Sequence, residues 1–255
     1  KRARDGYWAF AVKARKVRLT TLIGWCETAF LFNLPGFQCG VIGAEKEHAK
    51  QVLDLVDIEY NNLPEDMVLE DGTKFTMRPY KEHWDTENRV IGFGPIGPDG
   101  KMQVKATSVM RIATSNTDVF GRGRSLKMLH EVERAHFDQA QEPKLMASVL
   151  EGLPLSCWRF SDSTPFGMKN LHYQDFKAVK AGKVKAIYLL RRWFESPGKA
   201  LAPGHPKRLP SDEGELVLTP EEQELVALFP KDGVKVQDRI AWRRYRVDEC
   251  TRISY

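Results

Sequence analysis

The chain has 255 residues, of which 42% are hydrophobic and 29% are charged, a composition that builds a globular core and excludes a disordered or fibrous protein. The formal net charge of +5 is modest, so it neither demands nor excludes a polyanionic partner. The longest apolar stretch, residues 21–37, is interrupted by Glu27, Asn33 and Pro35, and this excludes a membrane span. The four cysteines show no C-x-x-C spacing, which argues against a zinc site and fits a reducing compartment such as the cytosol.

The first part of the chain alternates strand-like apolar runs with helical patterns. Residues 7–14 predict a buried strand, and residues 20–33, after a basic loop, predict a helix. A second strand at 38–43 and a long helix at 44–62 repeat this order. Such alternation predicts an α/β fold with a mostly parallel sheet and helices on both of its faces.

The rest of the chain continues the alternation and then changes character. A turn rich in glycine and proline, residues 94–100, predicts a β-hairpin between two apolar runs. The segment 195–214 is rich in proline, glycine and charge, which predicts a core of residues 1–195 followed by a linker and small helical region, residues 196–255. Further strands are predicted at 126–131, 157–161 and 184–190, and further helices at 138–150, 170–180, after the Thr219 cap, and at 236–249.

The basic loop between the first strand and the first helix is the first candidate for chemistry. In KARKVRLTT, residues 13–21, cations and two adjacent hydroxyls precede a helix whose free N–H groups favour an anion. These features suit a nucleotide phosphate with Mg²⁺. The standard G-x-x-x-x-G-K-[ST] pattern is absent, so the loop alone is equally consistent with a solvated basic turn in which Thr20 caps the helix.

Two later strands end in polar residues at the same predicted edge of the sheet. LKMLHE, residues 126–131, ends in a carboxylate, where P-loop ATPases carry the acid that organises Mg²⁺ and activates water. CWRFSDSTPFG, residues 157–167, ends in hydroxyls and a turn. Because the carboxyl ends of parallel strands meet at one edge, three strand ends are expected to face one crevice.

With these segments in this order, the chain resembles the ATPase domain of the large terminase subunit, the DNA-packaging motor of tailed bacteriophages. The resemblance rests on residues 13–21 as a variant Walker A motif, 121–133 as the Walker B region, 161–176 as the coupling motif and 218–249 as the segment before the nuclease. It implies a RecA-like P-loop (ASCE) fold and an ATPase that uses Mg²⁺ to move DNA into a capsid. The implied partners are double-stranded DNA, the portal protein, the small terminase subunit and sister copies in a ring, within the host cytoplasm. No DNA cleavage is expected from this chain, since the family's nuclease region would follow Tyr255.

The resemblance also implies roles for residues of the loop. Arg15 resembles the phosphate-binding arginine of the family, with Lys13 beside it, and Thr20 resembles the hydroxyl that coordinates Mg²⁺. Arg18 departs from the family's usual glycine, so the loop is expected to curl around phosphate only if this side chain points outward. The implied ATP-binding set is Lys13, Arg15, Lys16, Val17, Arg18, Leu19, Thr20 and Thr21.

In the Walker B region, Glu131 matches the catalytic glutamate and is expected to orient water and, with Thr20, to hold the metal. His130 stands where many members have the aspartate that organises Mg²⁺, whereas Glu133 is expected to be structural or exposed. Ser163 and Thr164 resemble the pair that couples hydrolysis to movement. The catalytic set includes Arg122 and Arg124, either of which is a candidate finger for a neighbouring subunit's nucleotide, with contact to DNA phosphates as the alternative.

Two alternatives stay open at this point. The departures at Arg18 and His130 are compatible with a catalytically weak or inactive P-loop module that acts as a DNA-binding or assembly component. The last predicted helix carries an arginine stripe that would contact DNA or, in the interpretation we favour, remain solvated beside aromatic residues that pack on the core. The stripe consists of Arg239, Arg243 and Arg246.

Overall fold

The computed structural model of the chain describes residues 7–16, 18–85, 90–94, 107–117, 120, 125–196, 198–214 and 217–253. It divides into two compact units between Leu190 and Arg191, near the boundary expected after residue 195. Within the described ranges, no helix combines the length and the hydrophobicity that crossing a membrane requires.

The strands and helices predicted from the sequence are found, with ends shifted by a few residues. The structure adds three strands that the sequence patterns did not predict, the three-residue β3 and β4 and the six-residue β5. The strands are β1 (Trp8–Lys13), β2 (Gln38–Gly43), β3 (Asp66–Val68), β4 (Lys74–Thr76), β5 (Tyr80–Asp85), β6 (Val90–Gly94), β7 (Ser108–Thr114), β8 (Met128–Val132), β9 (Trp158–Ser163) and β10 (Ile187–Arg191). The helices are α1 (Leu19–Asn33), α2 (Lys46–Asn62), α3 (Glu142–Glu151), α4 (Leu171–Lys180), α5 (Pro220–Val226) and α6 (Val236–Ile253).

The main sheet has eight strands in the order β10-β1-β9-β8-β2-β7-β6-β5. Within this order, the neighbours among β1, β9, β8, β2 and β7 pair in parallel. β6 pairs antiparallel with β7, and β5 pairs antiparallel with β6. The prediction of a mostly parallel sheet is therefore confirmed. β6 and β7, the two arms of the predicted hairpin, pair antiparallel, whereas residues 95–100 of its predicted turn lie outside the described residues. Because β1, β9 and β8 are direct neighbours, their carboxyl ends lie side by side, with Val12 opposite Ser163 and Val132 opposite Asp162.

Two apolar clusters cover the two faces of the sheet. Val41 of β2 packs in one cluster with residues of α1 and α2, and the next residue, Ile42, packs in the other with Leu145 and Val149 of α3. Successive residues of a strand point to opposite faces, so helices lie on both sides of the sheet, as predicted. This burial holds the ends of the central strands in place at the polar edge.

The second unit is built around α5 and α6. Thr219 caps α5, as predicted, and it also exchanges hydrogen bonds with Glu222. The arginine stripe of α6 does not lie wholly on the surface, because Arg239 is fully buried and its Nε donates to the carbonyl of Phe194 over 2.9 Å. The ring of Trp242 stacks on Trp193 at 5.0 Å within this same unit.

Stability is expected to depend on the protonation of His172, which stacks on Phe10 of β1 with ring centroids 4.6 Å apart. Burial, helped by the charge of Arg134, lowers the pKa of His172 to about 4. Between that value and the ordinary pKa of about 6.5, the unfolded chain binds a proton that the folded chain does not. The free energy of unfolding should therefore fall by about 1.5 kcal/mol from pH 6.5 to pH 5 on account of this residue. Urea denaturation at both pH values checks this, and His172→Gln should remove that part of the pH dependence; an unchanged dependence would contradict it.

Candidate functional site

The loop from β1 to α1 makes its turn with residues other than glycine. Lys16 and Arg18 both adopt the left-handed conformation, with φ of 62° and 57°, and both side chains are exposed. This conformation costs an L-residue roughly 1–2 kcal/mol, which glycine would not pay. Arg18 also precedes the first residue of α1, and its carbonyl accepts the N–H of Leu22 over 3.0 Å. The Arg18 side chain thus points outward, which is the condition set by the sequence analysis for a curled loop.

Lys13, at the end of β1, is the centre of a polar cluster at the sheet edge. Its Nζ lies 2.8 Å from Thr20 Oγ1, 2.9 Å from Glu133 Oε1 and 2.8 Å from Asp162 Oδ2. Thr20 in turn donates to Asp162 Oδ2 over 2.7 Å, so the hydroxyl does not cap the helix. Burial alone would lower the pKa of Lys13, but the two carboxylates outweigh it and raise this pKa. The ammonium group is therefore charged at neutral pH.

Glu133 reaches this cluster because it lies just beyond the end of β8 in the left-handed conformation, with φ of 54°. Its Oε2 accepts hydrogen bonds from the backbone N–H and the hydroxyl of Thr164, over 2.8 and 2.9 Å, and Ser163 Oγ lies 3.4 Å from the same atom. Burial raises the pKa of this carboxyl, but Lys13 and the Thr164 donors outweigh it, so the pKa is lowered. Glu133 was expected to be structural or exposed; its side chain is half-buried and bonded to Lys13 and Thr164, so it is not exposed.

Glu131, the predicted catalytic glutamate, lies elsewhere. It is fully buried within β8, where its Oε1 lies 2.6 Å from Arg159 Nε and its Oε2 accepts from Ser161. Arg134 Nε lies 3.4 Å away. Burial raises the pKa of Glu131, but the two guanidinium groups outweigh it and lower this pKa. Both carboxylate oxygens face these partners, which do not belong to the Lys13 cluster, and the role of Glu131 in orienting water and in sharing a metal with Thr20 stays a prediction.

His130 is part of a fully buried chain of charges beneath the cluster. Its Nδ1 lies 3.0 Å from Glu27 Oε1 of α1, and its Nε2 lies 2.9 Å from Asp162 Oδ1 of β9. Burial lowers the pKa of His130, but the two carboxylates outweigh it and raise the pKa to about 10. Despite its own burial, the pKa of Asp162 is held well below its usual range by His130 and Lys13. Both partners are therefore charged at neutral pH.

The structure brings together part of the predicted site. Lys13, Thr20, Ser163 and Thr164 meet at one edge, joined by Glu133 and by Asp162, which the sequence analysis did not single out. The sequence signal that could have identified Asp162 is its position between Ser161 and Ser163 at the end of a predicted strand. Of the remaining predicted residues, Arg15, Lys16 and Arg18 are exposed on the loop, Leu19 and Thr21 are half-buried in the first turn of α1, and Val17, Arg122 and Arg124 lie outside the described residues.

The donor set at this edge fits a magnesium ion held together with phosphate. Mg²⁺ is bound by oxygen ligands, typically one or two carboxylates with water and substrate phosphates, rather than by an all-protein cage. Thr20 Oγ1, Asp162 Oδ2 and Glu133 Oε1 are three such oxygens gathered around one ammonium group. Within the described part of the chain, no group of three or more His, Cys, Asp and Glu side chains is arranged to hold a metal ion.

No protein-family model and no curated protein matches this chain. Solved structures that resemble it are phage large terminases. The ATPase domain of the Thermus phage P74-26 large terminase matches with a TM-score of 0.47 and 17% identity over 91% of this chain and 86% of that one. An arginine-to-alanine mutant of the same domain matches with a TM-score of 0.46 and 18% identity, over 66% of this chain and 64% of that one. The HK97 bacteriophage large terminase matches with a TM-score of 0.48 and 12% identity, over 87% of this chain and 42% of that one.

The likeness is one of fold. In this chain the strand that leads into α1, β1, pairs in parallel with β9, and β9 pairs in parallel with β8; β9 and β8 are the two strands with polar ends. The chain spans less than two thirds of the mutant Thermus phage domain, and less than half of the HK97 terminase.

Proposed function

We propose that this chain is a P-loop nucleoside triphosphatase that hydrolyses ATP with Mg²⁺ and serves as the motor part of a viral DNA-packaging enzyme. The observation that carries the ATPase proposal is the cluster of Lys13, Thr20, Asp162 and Glu133 where β1 runs into α1. A cation, a hydroxyl and two carboxylates at the open end of a helix suit a phosphate chain with its metal. The packaging role is supported by the order of the four motif segments in the sequence.

Each residue of the cluster has a chemical task in this proposal. The first turn of α1 and the exposed Arg15 and Lys16 attract the phosphate chain, and the Lys13 ammonium donates to a phosphate oxygen in place of one carboxylate. Thr20 and a carboxylate hold Mg²⁺, which, when bound, neutralises charge on the phosphate oxygens. Glu133, ionised at neutral pH, accepts a hydrogen bond from the attacking water and orients it.

The coupling pair lies directly against this glutamate. Thr164 donates to Glu133 through both its N–H and its hydroxyl, and the hydroxyl also lies 3.1 Å from His136 Nε2. The ring of His136 stacks on Phe166 of the following loop, with centroids 4.5 Å apart. A change at Glu133 during hydrolysis would thus reach Phe166 through three contacts, from Glu133 to Thr164, from Thr164 to His136 and from His136 to Phe166. We propose that this path transmits the state of the nucleotide to the parts that grip DNA.

The partners and the place of action belong to the same proposal. We propose double-stranded DNA as the translocated substrate, the portal protein and the small terminase subunit as docking partners, and sister copies as members of a ring in the host cytoplasm. Steady-state phosphate release with and without double-stranded DNA tests the motor function. Turnover that DNA stimulates supports it, whereas no turnover together with nucleotide-independent DNA binding would support the inactive assembly module instead.

Replacing Lys13 should weaken nucleotide binding. Charge-assisted hydrogen bonds are worth about 1.5–3 kcal/mol, so Lys13→Met should raise the Kd for ATP by roughly 10–100-fold. Binding of a fluorescent ATP analogue measures this, with circular dichroism to verify the fold. Lys127→Met is the matched control, because Lys127 is exposed at the opposite end of β8. Equal affinities of wild type and Lys13→Met would contradict the role of Lys13.

A further inference from the structure

We infer that Asp162, on β9, supplies the carboxylate that organises the divalent cation, and that His130, on β8, fixes this carboxylate in place with the help of Glu27. The inference rests on the proposed function and assigns the protein ligands of its metal site. The terminase resemblance placed the metal-organising carboxylate at position 130, on β8. The inference moves this role to Asp162 on the neighbouring strand, β9. Asp162 becomes a proposed metal-binding residue, and His130 becomes a positioning residue.

The two oxygens of Asp162 have separate partners. Oδ1 faces His130 Nε2 at 2.9 Å, inside the protein. Oδ2 faces the cluster, at 2.7 Å from Thr20 Oγ1 and 2.8 Å from Lys13 Nζ. Oδ2 is therefore presented beside the hydroxyl proposed to hold the metal, while Oδ1 holds the side chain in one orientation.

His130 cannot take the metal role itself. Each of its ring nitrogens lies within hydrogen-bond distance of a carboxylate oxygen, 3.0 Å for Glu27 and 2.9 Å for Asp162. A carboxylate only accepts hydrogen bonds, so both nitrogens carry protons and neither offers a lone pair to a metal. The same two bonds fix the ring, and the ring fixes Asp162, as the outer partners of metal ligands commonly do.

The sheet order explains why β9 can replace β8 in this task. β9 lies directly beside β1, the strand that leads to Thr20, whereas β8 is one strand further away. A carboxylate at the end of β9 therefore reaches the first turn of α1 without crossing another strand.

The burial of Glu27 also supports the positioning role of His130. A fully buried glutamate on α1 is costly unless it is paired, and His130 is its charged partner.

Manganese binding to the protein–nucleotide complex tests the inference. The protein is kept in excess over a non-hydrolysable ATP analogue, and free Mn²⁺ is followed by its electron paramagnetic resonance signal. Asp162→Asn should raise the half-saturating Mn²⁺ concentration by roughly tenfold or more, and His130→Gln should raise it in the same direction. Affinity for the analogue in EDTA should be unchanged or tighter in Asp162→Asn, because a negative charge near the phosphates is removed. Asp54→Asn, on the exposed face of α2, is the matched control and should behave as wild type.

The possible results separate the two proposals. If the wild type binds the analogue but Asp162→Asn leaves Mn²⁺ binding unchanged, or weakens metal-free nucleotide binding to the same extent, the metal assignment is overturned alone. A wild type that binds no analogue overturns the proposed function and the metal assignment together. If the variants do not fold, the wild type co-crystallised with Mn²⁺ and the analogue decides. An anomalous peak in contact with Asp162 Oδ2, directly or through one water, supports the inference, and a peak without that contact overturns it.

Discussion

Glu133→Gln is expected to lower the rate of ATP hydrolysis by about 10²–10⁴-fold, the range that general acid–base groups contribute, while nucleotide still binds. The glutamine keeps an oxygen that accepts from Thr164, so the local structure has a substitute hydrogen bond. It lacks the carboxylate charge that Lys13 and the Thr164 donors stabilise in the native site. Water orientation and proton acceptance should fail, whereas phosphate contacts should persist. Steady-state phosphate release and the Kd of an ATP analogue, measured on the same preparation, check both halves of this expectation.

Glu151→Gln serves as the control for this experiment, because Glu151 is exposed at the end of α3. It should hydrolyse ATP at the wild-type rate. A Glu133→Gln protein with wild-type turnover would show that another group orients the water, and the proposed role of Glu133 would have to be abandoned.

Glu131→Gln is expected to act on stability. Removing one partner of a buried ion pair leaves the other charge uncompensated and typically costs 3–5 kcal/mol. Arg159 would lose its carboxylate partner, while Arg134 keeps ion pairs with Glu142 and Asp175, so we expect a loss of about 3 kcal/mol. Guanidinium chloride denaturation measures this loss.

Comparing the two glutamines also decides between two alignments of the motif. If Glu131→Gln unfolds at the wild-type denaturant concentration yet hydrolyses no ATP, then Glu131 is the catalytic residue implied by the sequence resemblance. If it is destabilised but retains turnover where it is folded, the catalytic position is Glu133, two residues later.

Much of the fold could be predicted from the sequence because its signals are local. The apolar run at β2 and the helical spacing of α2 need no knowledge of the rest of the chain, and β2 was predicted with the bounds that it has. The Thr219 cap of α5 is another local signal, since Thr219 and Glu222 bond within one turn. The strands β3 and β4 were missed because they are three residues long, too short to show a period.

The candidate site was predicted only in part. The sequence by itself determined that a basic loop and two polar strand ends meet at one edge, because buried strands alternating with helices make a parallel sheet whose ends coincide. It also determined that Lys13, Thr20, Ser163 and Thr164 are at that edge. These statements follow from the order of the elements along the chain.

Only the tertiary structure decided which carboxylates face the site. Glu131 and Glu133 are two residues apart, so a regular strand would place both on the same face. The last residue of β8, Val132, pairs with β9, and the left-handed backbone of Glu133 just beyond it redirects the second carboxylate toward Lys13. Asp162 in turn gained its place from two neighbours distant in sequence, His130 and Thr20. Strand ends, and contacts between residues far apart in the chain, depend on pairing and packing, which local patterns do not encode.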